Sequence, residues 1–191
     1  MKKALTITAA LTIALTISGC SEKKTAEQYL VEAQKYSQNN EFNSAIIELK
    51  NALRVAPKNA GARFELGKAY LQQGDYINAE KELERAEQLG IEFTELVVSL
   101  IEVKTKLNKS EDVYQLVKKS GDLADDDYVL VLTFAGIAAI QNGDKALGQD
   151  FFNQAVSISE AAYFSQVSKA YLARLDKEYL IALDGVESLL S

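Results

Sequence analysis

Residues 26–59, AEQYLVEAQKYSQNNEFNSAIIELKNALRVAPKN, and residues 60–93, AGARFELGKAYLQQGDYINAEKELERAEQLGIEF, superpose without a gap at a spacing of 34. The shared positions are small or apolar: Ala33 with Gly67, Tyr36 with Tyr70, Ala45 with Ala79, Leu49 with Leu83 and Ala52 with Ala86. A small residue in the first half of each unit and another in the second let two helices approach closely, and a tyrosine fills the space beside them. Turn residues fall between the two apolar-periodic stretches, Gln38-Asn39-Asn40-Glu41 in the first unit and Gln72-Gln73-Gly74-Asp75 in the second, and Pro57 ends the first unit. Each unit therefore reads as an antiparallel helix hairpin. One hairpin cannot bury its own apolar face, so at least three must stack.

The period and the small and aromatic positions resemble the tetratricopeptide repeat. Glu32, Arg63 and Ile91 depart from its pattern, standing where leucine, an aromatic and proline are usual. Residues 94–128 form a degenerate third unit, with an apolar stripe of Val97, Leu100, Ile101, Val113 and Val117 but Lys104 in the aromatic slot. A fourth, 129–160, repeats the turn as Asn142-Gly143-Asp144, with Gly148 at a close-packing position. A fifth is expected over 161–191, with Phe164, Val167, Ser168 and Tyr171 on one helix and Ala182, Val186 and Leu189 on the other. The expected fold is all-α, a tetratricopeptide-type right-handed solenoid of about five antiparallel hairpins spanning 26–191.

Ahead of the repeats, Met1-Lys2-Lys3 is followed by an uncharged run from Ala4 to Ile17. That run is shorter than the ~20 residues a membrane-spanning helix needs, and it leads into Ser18-Gly19, so residues 1–19 read as a signal peptide. Ile17-Ser18-Gly19-Cys20 resembles the lipobox of bacterial lipoproteins, which implies that Cys20, the only cysteine, is acylated and becomes the first mature residue. The resemblance also implies an outer-membrane address on the periplasmic face, because Ser21 is not the aspartate that retains such proteins at the inner membrane. Residues 20–25 are then the lipidated cysteine and a short tether.

Composition narrows the chemistry. The 191 residues contain no histidine, one cysteine, 21 Lys+Arg and 27 Asp+Glu, for a net charge of -6. Zinc sites built on His and Cys, Ser-His-Asp and Cys-His catalysis, and an intrachain disulfide all lack their residues. The acidic balance disfavours nucleic acid as a partner. Asp125-Asp126-Asp127 lacks the glycine and spacing of a calcium loop, and one of the three is expected to cap a helix. Glu80, Glu82, Glu84 and Glu87 alternate with Lys81 and Arg85 as a solvated helix face would. No metal, cofactor or catalytic residue is assigned, and the chain reads as non-enzymatic; a carbohydrate-processing enzyme built on paired carboxylates is the alternative from another class.

What the repeat resemblance implies for function is a concave groove lined by the first helix of each hairpin. Carried over by register, its residues are Glu27, Leu30, Gln34, Ser37 and Gln38 in the first unit, Gly61, Phe64, Lys68, Gln72 and Gln73 in the second, and Leu130, Thr133, Ile137, Ile140 and Gln141 in the fourth. Phe64 is expected to be an exposed aromatic anchor or, alternatively, to pack against the first hairpin. A mixed apolar and amide groove suits a protein or peptide partner.

The lipobox, short tether and immediate repeats, with the runs 45–53 and 62–70, look like the tetratricopeptide lipoproteins of the PEP-CTERM/exosortase system over residues 1 to about 95. That family implies a scaffold in exopolysaccharide-linked export or surface-protein sorting, anchored to the membrane through Cys20. A pilus- or secretin-assembly lipoprotein is the alternative within the same class. The C-terminal hairpin, with no polar cap after Ser191, is expected to associate with another surface.

Overall fold

The computed structural model describes residues 23–176; Cys20 and the signal segment lie outside them, as does the expected last helix with Ala182, Val186 and Leu189. Among the described residues the chain is all-helical, with no strand. The elements are α1 (Ala26–Gln38), α2 (Phe42–Val55), α3 (Ala60–Gln73), α4 (Tyr76–Gln88), α5 (Phe93–Lys106), α6 (Ser110–Lys119), α7 (Asp125–Gln141), α8 (Lys145–Ile158) and α9 (Tyr163–Leu175). Consecutive helices pair as hairpins, and each hairpin packs on the next, α2 on α3, α4 on α5, α6 on α7 and α8 on α9.

Local sequence sets the helix limits. At the entrance to α1, Thr25 Oγ1 accepts from the Gln28 backbone N–H at 3.3 Å while Gln28 Oε1 accepts from the Thr25 N–H at 2.8 Å, a reciprocal cap. Asn59, Asp75 and Asp144 cap α3, α4 and α8 one way only, each side-chain oxygen accepting from the backbone N–H three residues on. The expectation that an aspartate of the 125–127 run caps α7 is corrected: Ala124 holds the cap position, and all three aspartates sit in the first turn. There their charges face the positive end of the helix dipole.

The hairpin turns reveal the repeat more clearly than the side chains do. Asn40, Gly74, Asn108 and Gly143 all take a left-handed backbone, with φ of 60°, 83°, 56° and 87°. In each case the next residue's N–H closes the turn onto the carbonyl five residues back: Glu41 on Tyr36, Asp75 on Tyr70, Lys109 on Lys104 and Asp144 on Ala139, at 2.8–2.9 Å. The third hairpin thus turns as the others do, although its aromatic slot holds a lysine. Asn108 signalled this, since asparagine and glycine are the residues that tolerate a left-handed turn.

Close approach at the small residues makes the core. A Cβ on Gly67 would lie 2.6 Å from Leu83 Cγ, and one on Gly148 would lie 2.5 Å from Ile140 Cδ1; a Cβ on Gly136 would strike the Phe152 ring. Ala33, Ala45, Leu49, Ala79, Leu83, Ala135 and Phe152 are buried around these contacts. The main core runs from Ala33 and Ile46 through Leu83 and Ile101 to Val131 and Ala138, linking α1 to α7, while Val129, Leu132 and Ala155 form a separate cluster between α7 and α8.

Two departures from the repeat pattern turn out to be cations paired with α4, Lys104 buried and Arg63 partly so. Arg63 is ion-paired with Glu82, and its other terminal nitrogen donates to the Pro57 carbonyl at 3.2 Å. Lys104 donates to Glu80 at 2.9 Å, Glu84 at 3.0 Å and Asp112 at 3.3 Å, and Lys109 meets Glu80 at 2.7 Å from the other side. The acidic face of α4 is therefore not uniformly solvated as expected: Glu82 is buried, and the Glu80 side chain is 12% exposed. Burial alone would raise the Glu80 carboxyl, but its bonds to Lys109 and Lys104 hold it below the ordinary carboxylate range. Burial would likewise lower the Lys104 ammonium, and Glu80 and Glu84 outweigh it, so its pKa is raised.

Candidate binding groove

Between α3 and α5 the helix surfaces leave a cleft whose walls are Glu65, Lys68, Leu71 and Gln72 from α3 and Val98, Ser99 and Glu102 from α5, with Ser37 and Phe42 of the first hairpin at one end. Its lining follows the repeat in part. Glu102 stands 34 residues beyond Lys68 and both line the cleft, whereas Val98 lines it although its equivalent one repeat earlier, Phe64, does not. Leu71 and Val98 give it an apolar base; Gln72 and Ser99 add amide and hydroxyl groups.

The charges are arranged unevenly. Lys68 Nζ lies 3.1 Å from Glu65 Oε1 and 5.0 Å from the centroid of the Phe64 ring, so that cation is already engaged by its own helix. Glu102 is half-buried. Burial pushes its carboxyl above the ordinary range, opposed by the charge of Lys106 on the same helix.

The register-derived residues divide into three groups. Ser37, Lys68 and Gln72 line the cleft together. Gln34, Gln38 and Gln141 are exposed on the first helices of their hairpins, and Leu30, Leu130, Ile137 and Ile140 are half-buried, but none of these lines this cleft. Phe64 and Thr133 are buried, which corrects the expectation that they present themselves to a partner.

Phe64, 7% exposed, packs in the main core, the arrangement weighed as the alternative for it. Thr133 is fully buried; its hydroxyl donates to the Val129 carbonyl at 2.8 Å and has Ser168 Oγ at 2.9 Å. Both sit on helices covered by neighbours on several sides, α3 by α2, α4 and α5 and α7 by α5, α6, α8 and α9. Ile140 packs against Gly148 of α8.

Gln73 bonds Asn43 and does not line the cleft, whereas Leu71 does. Sequence reasoning missed Leu71, Val98 and Glu102. The 34-residue spacing from Phe64 and Lys68 was the signal for the last two.

Among the described residues no group of three or more His, Cys, Asp or Glu could hold a metal ion, and no helix is long and apolar enough to cross a membrane.

Residues 33–74 match the family described as TPR repeat, and residues 60–89 match the one described as Tetratricopeptide repeat. The chain carries tetratricopeptide repeats. Human Superkiller complex protein 3 is 28% identical over 162 residues, which is 82% of this chain and 10% of that protein. The chain thus spans about a tenth of the length of that curated relative.

Among solved structures, Pseudomonas aeruginosa pilF has a TM-score of 0.66 at 17% identity, covering 86% of this chain and 75% of that one. YrrB, described as a TPR protein with an unusual peptide-binding site, has a TM-score of 0.63 at 19% identity over 86% and 84% of the two chains. These likenesses show that the tetratricopeptide solenoid extends well beyond the residues matched by the repeat families.

Proposed function

We propose that this chain is a non-enzymatic, lipid-anchored tetratricopeptide scaffold of the bacterial cell envelope that holds a protein partner in the α3–α5 cleft. The observation that carries the reading is the cleft itself: an apolar base at Leu71 and Val98, edged by amide, hydroxyl and charged groups, suits a peptide segment, whose apolar side chains need burial and whose backbone needs polar partners. The repeat fold supports binding in general and leaves the ligand to the groove residues.

Anchoring rests on Ile17-Ser18-Gly19-Cys20 and the short tether that follows. With an acylated Cys20, the repeats sit close to the membrane, on the periplasmic face of the outer membrane. Cys20→Ser is expected to leave an unprocessed precursor that takes up no labelled fatty acid. Normal maturation of that variant would remove the anchor from the account.

For the pathway, the likeness of the N-terminal half to PEP-CTERM-associated lipoproteins favours exopolysaccharide-linked export or surface-protein sorting. Affinity recovery after in-cell crosslinking, comparing the full chain with Ser99→Trp, tests the binding reading. Partners that disappear when the indole fills the cleft support it, and their identity sorts export and sorting from pilus assembly. Unchanged partners in a folded Ser99→Trp protein would place binding elsewhere.

A further inference from the structure

The cleft contains one carboxylate that nothing in it neutralises. Among the described residues Glu102 makes no salt bridge, although Lys68 projects from the equivalent position one repeat earlier. Lys68 is held by Glu65 and lies over Phe64, and among the described residues the cation that acts on Glu102 is Lys106, exposed on the same helix. Ser37 and Phe42 at the cleft's end and Gln72 on its wall carry no charge. Beside Glu102 lie the apolar surfaces of Val98 and Leu71.

We infer that the cleft selects a partner segment in which a lysine or arginine meets Glu102 and an adjacent apolar side chain rests on Val98 and Leu71. This rests on the groove-binding function proposed above and names the chemistry of the partner. A cationic side chain fits in two ways: its alkyl stem covers the apolar base, and its head group pairs with the carboxylate. Burial already raises the free energy of the ionised Glu102, so an incoming cation relieves a cost present in the free protein. An acidic residue at the same place would meet Glu102 and Glu65 together. Charge complementarity sets specificity in such a groove more than total affinity.

A display library of random twelve-residue peptides, selected on the immobilised full chain and on Glu102→Gln and Glu102→Lys, tests this. Enriched peptides are expected to share a lysine or arginine next to Leu, Ile, Val or Phe. A synthetic copy is expected to bind the unmodified chain about tenfold more tightly than Glu102→Gln by fluorescence anisotropy, a change of about 1.4 kcal/mol. Glu102→Lys is expected to shift the enriched residue to aspartate or glutamate.

Helical circular dichroism like that of the parent confirms that each variant is folded. Enriched peptides with no basic preference, whose binding is lost in Ser99→Trp, would overturn the charge selection while leaving the groove as the binding site. Equal affinity for Glu102→Gln would overturn it as well. No enrichment on any form of the chain would overturn both this inference and the groove-binding function.

Discussion

Gly136 and Glu102 show how single residues carry opposite kinds of information. Gly136 is a packing residue: its missing side chain leaves the space that the fully buried Phe152 ring occupies. Gly136→Ala is expected to cost about 1–3 kcal/mol, because neither the ring nor the helix backbone can yield cheaply; urea unfolding measures it. Phe152→Leu, introduced together with it, should return part of the loss.

Glu102 instead destabilises the fold where it is ionised. Its folded-state pKa is raised, so the native chain binds this proton more tightly than the unfolded one does. Its contribution to stability is therefore complete below the unfolded carboxylate pKa and is lost as pH rises through the folded value. Glu102→Gln is accordingly expected to unfold at higher urea than the parent at pH 7, with the difference vanishing below about pH 4. A lower midpoint at pH 7 would show that Glu102 serves packing rather than binding. The small residues were legible in the sequence because their meaning is steric and repeats every 34 positions. Phe64 and Thr133 were not, because register fixes the face a residue occupies while neighbouring helices decide whether that face is open.

At the scale of elements, the third hairpin is where sequence and structure diverge most. Its aromatic slot holds Lys104, which made the unit look degenerate, yet its turn closes like those of the other hairpins. What replaces aromatic packing is a charge cluster that ties α5 and α6 to α4 through Lys104, Glu80, Glu84 and Asp112. Such a cluster is illegible from one chain segment, since its members are separated by up to 32 residues.

Glu84 and Asp112 are about half exposed and contribute little, whereas Glu80 is nearly covered and depends on its partners. Lys104→Met is expected to cost about 2 kcal/mol, by removing one of the two cations that bond Glu80 and leaving it Lys109 alone. Adding Glu80→Gln should recover part of that loss, a coupling that a double-mutant cycle measures. Glu80 is held below its ordinary pKa, so its contribution is present above the unfolded value and is lost as pH falls through the folded one. The parent should therefore lose stability in acid over that range more steeply than Lys104→Met does.

Over the described residues, one core links the hairpins from α1 to α7 and a second joins α7 to α8, so stability depends on stacking rather than on any unit alone. The solenoid was readable from two well-kept repeats because each implies a neighbour to cover it. The candidate cleft was readable only in part: Ser37, Lys68 and Gln72 line it as the register implied, while Val98 and Glu102 belong to it because α5 lies beside α3.

The most direct test of the account replaces single positions with a photo-crosslinking amino acid in cells. Gln72, exposed on the cleft wall, is compared with Ile77, which is 74% exposed on α4 and outside the cleft. The account predicts a discrete protein adduct from Gln72 that Ser99→Trp abolishes, with none from Ile77. Adducts from Ile77 alone, or a Gln72 adduct indifferent to Ser99→Trp, would contradict it.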